Sequence, residues 1–265
     1  MARTFTKSPG NPRGEAAGLR WLAEAEQSGG AHVATVISVD DRRLEIEYIG
    51  QSRPSVEGAR AFGRALARTH AAGADWWGCP PDGWVGGGAV GNSRTPLILD
   101  REEAASAWGE FYARSRILEF ADRLLRKREI DEREHATFAA LADRLVRGDF
   151  DAPQPELVRA AGHEVARLHG DMWAGNVLYD GTGTGASLID PMAQGGHAET
   201  DLGTLSVFGF PHLEEIYRGY DEASPLAAGW QERIALHELG IVIMHADLFG
   251  GAYIGESLRI AERYR

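Results

Sequence analysis

The 265-residue sequence predicts an α+β chain in two lobes, a small mixed lobe over residues 1–50 and a larger, mainly helical lobe over residues 51–265. Three observations predict it. The first fifty residues alternate strand-like and helix-like runs, the pattern turns helical from Ser55 onward, and short β runs return only around Val165–Ile189.

Taken in order, Thr4–Lys7 reads as a short strand. After the Pro/Gly turn of Ser8–Arg13, Gly14–Gln27 has the periodicity of an amphipathic helix. Ala17, Leu19, Leu22 and Ala23 are its core candidates, and Gly29 and Gly30 end it. Val33–Val39 and Leu44–Ile49 are β-rich runs either side of a polar Asp40–Arg43 turn. The lobes join near Gly50–Pro54. Val56–Ala72 is helical as far as Gly73, and Asp75–Pro96 is a Trp/Gly/Pro-rich loop long enough to carry function. Glu102–Arg128 and Glu132–Arg147 read as long helices in an antiparallel pair, and Asp149–Pro155 breaks the pattern. Short strands follow at Val165–Leu168, Val177–Tyr179 and Ser187–Ile189, then three helices to the C-terminus.

Bulk properties remove several functional classes. The composition, 43% hydrophobic and 25% charged, is that of a globular chain. Met1–Lys7 has no apolar stretch, so no secretory leader is expected. The apolar segment Ile234–Ile254 is interrupted by His237, Glu238, His245 and Asp247, so no membrane span is expected. A net charge of −11 disfavours nucleic acid, and the basic run Arg123–Arg133 is interleaved with acids like a solvated helix face. Cys79 is the single cysteine, which excludes an internal disulfide and fits a reducing cytoplasm. Of 28 basic residues only Lys7 and Lys127 are lysines, and a lysine among arginines marks a site that needs a compact ammonium.

The stretch Leu168–Asp190 carries the chemistry. Asp171 and Asn176 stand five apart, the interval between the base and the metal-binding amide in a kinase catalytic loop. Asp190 follows two β runs joined by a Gly181–Gly185 turn, so a hairpin returns it to Asn176. A carboxylate and an amide oxygen converging there suit Mg²⁺, with Asp171 further out toward an acceptor hydroxyl. His169 is expected to brace the loop through hydrogen bonds. Upstream, Lys7 at the end of a strand and Glu15 at the start of the next helix form the expected pair for the α/β-phosphates of ATP. Position alone assigns the backbone of Glu47 and Ile49 to adenine. Gly86–Gly91 matches G-x-G-x-x-G, but no strand leads into it and no helix start follows, so a dinucleotide fold is rejected. No G-x-S-x-G elbow or C-x-x-C pair is present.

Three segments, LHGDMWAGN (168–176), DPMAQGGHAETDL (190–202) and HADLFGGAY (245–253), resemble the fructosamine kinase (ketosamine 3-kinase) family, a branch of the aminoglycoside-phosphotransferase-like kinases. Trp173 after the aspartate, Gly196-His197 with Glu199 and Asp201-Leu202, and the late Phe-Gly-Gly carry the resemblance, with weaker echoes at Leu66–His70 and Trp108–Arg116. It implies a two-lobed protein-kinase-like fold and Mg-ATP-dependent phosphorylation of the 3-hydroxyl of ketosamines, the glycation products on amines. It makes Asp171 the base, Asn176 and Asp190 the Mg²⁺ ligands, Trp173, His197 and His245 substrate residues, and Asp201 a brace. The family pattern places a β-hairpin ahead of the lysine strand. Only six residues precede Lys7, so the small lobe is expected to be truncated. Gln194-Gly195 stands where the family has an aromatic pair, and Ala198 where it has arginine. Another small hydroxyl acceptor, such as an aminoglycoside or amino alcohol, is the alternative substrate, and a nucleotide-poor binding module the alternative function. The chain is expected as a monomer or homodimer.

Overall fold

The computed structural model describes residues 3–90 and 93–265. Its first elements are β1 (Thr4–Lys7), α1 (Pro12–Ala23), β2 (His32–Val33), β3 (Val36–Val39) and β4 (Leu44–Glu47). β1, β4 and β3 form an antiparallel sheet in that order, with Lys7 opposite Leu44. α1 begins where its composition permits: the Asn11 side chain caps the Gly14 N–H at 3.1 Å and Pro12 occupies the first turn. It continues as a 3₁₀ turn over Glu24–Ser28 and stops at Gly29, whose φ of 81° suits glycine. The buried face is Ala16, Leu19, Trp21 and Leu22; Ala17 and Ala23 are only half-buried.

The remainder is α2 (Val56–Ala71), the hairpin β5 (Gly88–Val90) and β6 (Ser93–Thr95), α3 (Trp108–Tyr112), α4 (Glu119–Lys127), α5 (Glu132–Val146) and α6 (Glu156–Ala160). Then come β7 (Ala166–Leu168), β8 (Val177–Tyr179), β9 (Ala186–Leu188), β10 (Gln194–Gly196), α7 (Ala198–Ser206), α8 (Leu213–Ala223), α9 (Trp230–Phe249) and α10 (Ala252–Tyr264). Three expectations are corrected. The helix expected from Glu102 starts at Trp108, because Ala104 and Ala107 are extended, and it widens to a π-helix over Ala113–Leu118. Four helices, not three, close the chain, because Gly250 and Gly251 at φ 62° and 61° break the last one. The Asp75–Pro96 loop carries a hairpin of its own. Gly91 and Asn92 of the glycine-rich run lie outside the described residues, while Gly88 opens a strand, not a helix.

Two apolar cores hold these elements. One joins α1 (Leu19, Leu22) and β4 (Ile46) to α2 (Phe62, Leu66), β9 (Leu188) and α7 (Leu202). The other packs α4 and α5 on α9 and α10. β2 extends the small lobe's chain into the larger one by pairing in parallel with β9, itself antiparallel to β8. α2 and α8 cross at Gly63 and Gly219, where a Cβ on either would collide with the other helix's backbone. Among the described residues no helix is long and apolar enough to cross a membrane.

Candidate active site

The β7 strand ends at Leu168, and the loop Gly170–Asn176 follows. Gly170 has φ 81°, and a Cβ there would overlap the Met192 carbonyl, so only glycine lets the loop lie against the 190–192 segment. Asp201, fully buried at the start of α7, fixes the loop from below. Its Oδ2 accepts from the His169 N–H at 2.7 Å and its Oδ1 from the Gly170 N–H at 2.9 Å. His70, from the last turn of α2, bonds Asp201 through Nε2 at 3.2 Å and Tyr220 through Nδ1 at 2.8 Å. Burial alone would push the Asp201 carboxyl up. The bond and charge of His70, then His169 and the Gly170 N–H, hold it below the usual carboxylate range.

His169 is neutral and bracing. Its Nε2 faces the Ile189 carbonyl at 2.8 Å, which can only accept, so Nδ1 is the acceptor for the Asp171 N–H at 3.2 Å. Burial lowers its basicity. Asp171 is 8% exposed, and burial pushes its carboxyl up to about 6, opposed by the Asn176 bond and assisted by the Asp201 charge. The Asn176 Nδ2 donates to the Asp171 carbonyl at 2.9 Å, to Asp171 Oδ2 at 3.0 Å and to the Asp190 carbonyl at 3.4 Å. The amide nitrogen is thereby spent, and the amide oxygen is the atom left for a cation. Asp190 follows β9 with φ 53°, a left-handed conformation that is costly for a non-glycine residue and turns the chain at the position expected to hold a metal. Lys7 bridges the Asp190 and Glu15 carboxylates. Burial raises the Glu15 carboxyl and Lys7 draws it back.

Lys7, Glu15, Asp171, Trp173, Asn176 and Asp190 all line one cavity of about 400 Å³. Its other walls are the β1–α1 turn (Ser8–Asn11), the loop residues Pro81, Trp84, Gly87 and Gly88, and Pro191–Ala193. Trp84 was not singled out individually by the sequence, its only signal being membership of a long Trp/Gly-rich loop, and the glycine run was weighed only as a dinucleotide motif and rejected.

Four expected residues are not brought to this cavity. The Glu47 N–H donates to the Thr35 carbonyl at 2.8 Å and its carboxylate takes the Thr35 hydroxyl at 3.0 Å, while Ile49 packs on the first core. His197 is buried and caps its own helix: Nε2 meets the Ala152 carbonyl at 3.2 Å and Nδ1 accepts from the Glu199 N–H at 3.2 Å. Both ring nitrogens are used, and burial holds the ring neutral, its pKa down to about 4. Glu199 and His237 beside it have metal-like spacing, but Arg233 takes both Glu199 oxygens at 2.8 and 2.6 Å, so the cluster is an ion network. His245 stacks with Phe208, Phe249 and Tyr253, its Nδ1 buried without a partner among the described residues. Phe208 meets Trp173 edge-on at 5.7 Å, so His245 reaches the cavity rim only through that aromatic bridge.

Known proteins resemble this chain in sequence and fold. A 33% identical stretch of 153 residues in the mouse ketosamine-3-kinase covers 58% of this chain and 45% of that protein. The chain thus spans under half of the mouse relative's length. The chloroplastic protein-ribulosamine 3-kinase of Arabidopsis thaliana is 30% identical over 257 residues, 95% of this chain and 71% of the relative. A crystal structure from Thermobifida fusca YX-ER1, provisionally assigned as a fructosamine-3-kinase, superposes with TM-score 0.82 at 34% identity over 99% of this chain and 86% of that one. The ADP-bound aminoglycoside phosphotransferase APH(2'')-Ib shares the fold alone, at TM-score 0.59 and 12% identity over 98% of this chain and 88% of that one. A sequence profile described as fructosamine kinase matches residues 10–264, and with it this chain belongs to the fructosamine kinase family.

Proposed function

We propose that the chain is an ATP-dependent small-molecule kinase that phosphorylates a sugar hydroxyl, with the 3-hydroxyl of ketosamines as its acceptor. The observation that carries this reading is the convergence of Lys7, Asp171, Asn176 and Asp190 on one cavity. The donor set fits Mg²⁺: a carboxylate at Asp190 and the remaining amide oxygen of Asn176 are the hard oxygen ligands that ion takes. When bound, the ion supplies charge neutralisation at the terminal phosphates.

Phosphoryl transfer has a loose transition state, so positioning and charge do most of the work. Lys7, held between Asp190 and Glu15, is placed to meet phosphate oxygens with its ammonium. Asp171 orients the acceptor hydroxyl and takes its proton, and the Asn176 N–H keeps the Asp171 carboxylate from rotating away. Trp84 and Trp173 line the cavity and are the aromatic surfaces available to an acceptor sugar. The mouse and Arabidopsis relatives, a ketosamine-3-kinase and a protein-ribulosamine 3-kinase, favour this acceptor over an aminoglycoside.

The deciding assay follows ADP release with Mg-ATP and ribulosamine- or fructosamine-lysine, and locates the new phosphate by NMR. Phosphate on the 3-oxygen, absent with Asp171→Asn, is the expected result. Turnover of aminoglycosides or amino alcohols but not ketosamines would reassign the acceptor. Failure to bind Mg-ATP in calorimetry would remove the kinase reading itself.

A further inference from the structure

A second cavity, of about 470 Å³, adjoins the first and shares Gly10, Asn11, Gly87, Gly88 and Leu97 with it. Its charged lining is of one sign. Arg94 and Arg123 face it, and no carboxylate does among the described residues, although the chain carries 39 acids against 28 Lys and Arg. Arg94 is exposed on β6 and has no ion-pair partner among the described residues. Arg123 is held in place: Glu119 takes its Nε at 2.9 Å and Nη2 at 2.6 Å, Asp247 lies 3.5 Å from Nη1, and the guanidinium rides over the Phe120 ring at 4.9 Å. Lys127 also holds Asp247, at 2.6 Å.

Behind the wall stands a third guanidinium. Arg116, 6% exposed on the π-helix, donates to the carbonyls of Pro96 (3.0 Å) and Ser115 (2.7 Å) and to the Gln194 side chain, all neutral acceptors. Arg94 and Arg123 thus line the cavity, Arg116 stands behind it on the Pro96 carbonyl, and the two carboxylates that hold Arg123, Glu119 and Asp247, are outside the lining. The N-terminus of α1, with Asn11 on the shared wall, adds a partial positive charge. A chamber of this charge favours anions and repels polycations.

We infer that this second cavity is an anion subsite of the acceptor site, in which Arg94 and Arg123 receive the carboxylate of a ketosamine formed on a free amino acid. The inference rests on the ketosamine kinase reading for the acceptor's sugar end. A glycated amino acid has a hydroxyl-bearing sugar at one end and a carboxylate at the other, which matches a catalytic chamber joined to a basic one. A polycationic aminoglycoside lacks that anion and would meet like charge there. Planar guanidinium forks suit carboxylate, and Arg94 has its fork unspent among the described residues.

The test is a cycle with two ligands, fructosyl-glycine and fructosyl-glycinamide, against wild type, Arg94→Gln and Arg94→Lys. The cycle isolates the carboxylate–arginine coupling from the different basicity of the two amines. Both Mg-ATP turnover and calorimetric titration of the whole chain are read. A single charge-assisted contact predicts that the acid-over-amide preference falls about tenfold in Arg94→Gln and less in Arg94→Lys. Arg123→Gln is a second probe, its fold checked by thermal melting. A preference that Arg94→Gln leaves unmoved overturns the subsite, even if both ligands are phosphorylated. Coupling in calorimetry without turnover upholds the subsite and removes the kinase reading. Inorganic phosphate that competes with the acid ligand, and less so in Arg94→Gln, supports the assignment. Phosphate that competes with the acid ligand equally in wild type and Arg94→Gln acts elsewhere and overturns it.

Discussion

Replacing Asp201 by Asn keeps shape and volume and removes one charge from a fully buried position. The carboxylate accepts from two backbone N–H groups, at 2.7 and 2.9 Å, and from His70 at 3.2 Å. An amide supplies one oxygen, so its NH₂ must face a donor, and one of the catalytic-loop N–H groups loses its acceptor. Each charge-assisted bond is worth about 1.5–3 kcal/mol, and breaking a buried charged network by one partner costs about 3–5 kcal/mol. For a chain of this size about 1 kcal/mol moves the melting temperature by roughly 2–4 °C, so a fall of roughly 10 °C at pH 7 is expected. The assay is thermal and urea unfolding by circular dichroism across pH. Because the folded carboxyl lies below its ordinary value, its stabilisation is present above the unfolded pKa of about 3.9 and lost as pH falls through the folded one. The wild-type advantage should therefore hold from pH 8 to 5 and shrink below about pH 4. A variant melting within 2 °C of wild type, or a gap that stays constant down to pH 3, would refute the argument that this charge holds the loop.

Other expectations follow from the same geometry. Asp171→Asn should lower kcat by about 10²–10⁴-fold while leaving the melting curve cooperative; in wild type the base works ionised, so the acid limb of the rate profile should fall as pH drops through about 6. Arg233→Met should destabilise by about 3–5 kcal/mol, because it strands Glu199, fully buried and held down to about pKa 2, with only the His237 hydrogen bond beside it; adding Glu199→Gln should recover part of that loss, and a full additive loss would contradict the pairing. Gly63→Ala should cost at least about 2 kcal/mol in urea unfolding, since its Cβ meets the Ile216 carbonyl across the α2–α8 crossing; an unchanged midpoint would show that the helices separate freely.

Local spacing carried the parts of this site that lie close in sequence. Asp171 and Asn176 share one loop, and a short hairpin returns Asp190 to them, so three residue identities and two intervals were enough to place them in one cavity. Lys7 and Glu15 were legible for the same reason, a strand and the helix that follows it. The helix starts were less so: Trp108–Leu118 could not be told from a longer helix, because the extended turn at Ala104–Ala107 has helix-forming residues and is decided by packing. His197 and His245 looked like ligand-facing residues by motif. His197 is buried and caps its own helix, and half-buried His245 packs in an aromatic cluster, surroundings that a linear sequence does not display.

The sequence by itself determined the fold class by periodicity, the family by the resemblance of three segments, and the convergence of Asp171, Asn176 and Asp190 by short-range spacing. Only the tertiary structure decided which distant groups complete the site. Lys7 meets Asp190 across 183 residues, His70 meets Asp201 across 131, and the Trp84–Gly88 loop closes on the β1–α1 turn, where Asn11 donates to the Gly87 carbonyl at 3.3 Å. The basic second cavity arises in the same way, from arginines on a hairpin, a π-helix and an α-helix that no local pattern links. Such pairings are set by how the cores pack, and packing depends on shape and volume summed over the whole chain, not on any one interval within it.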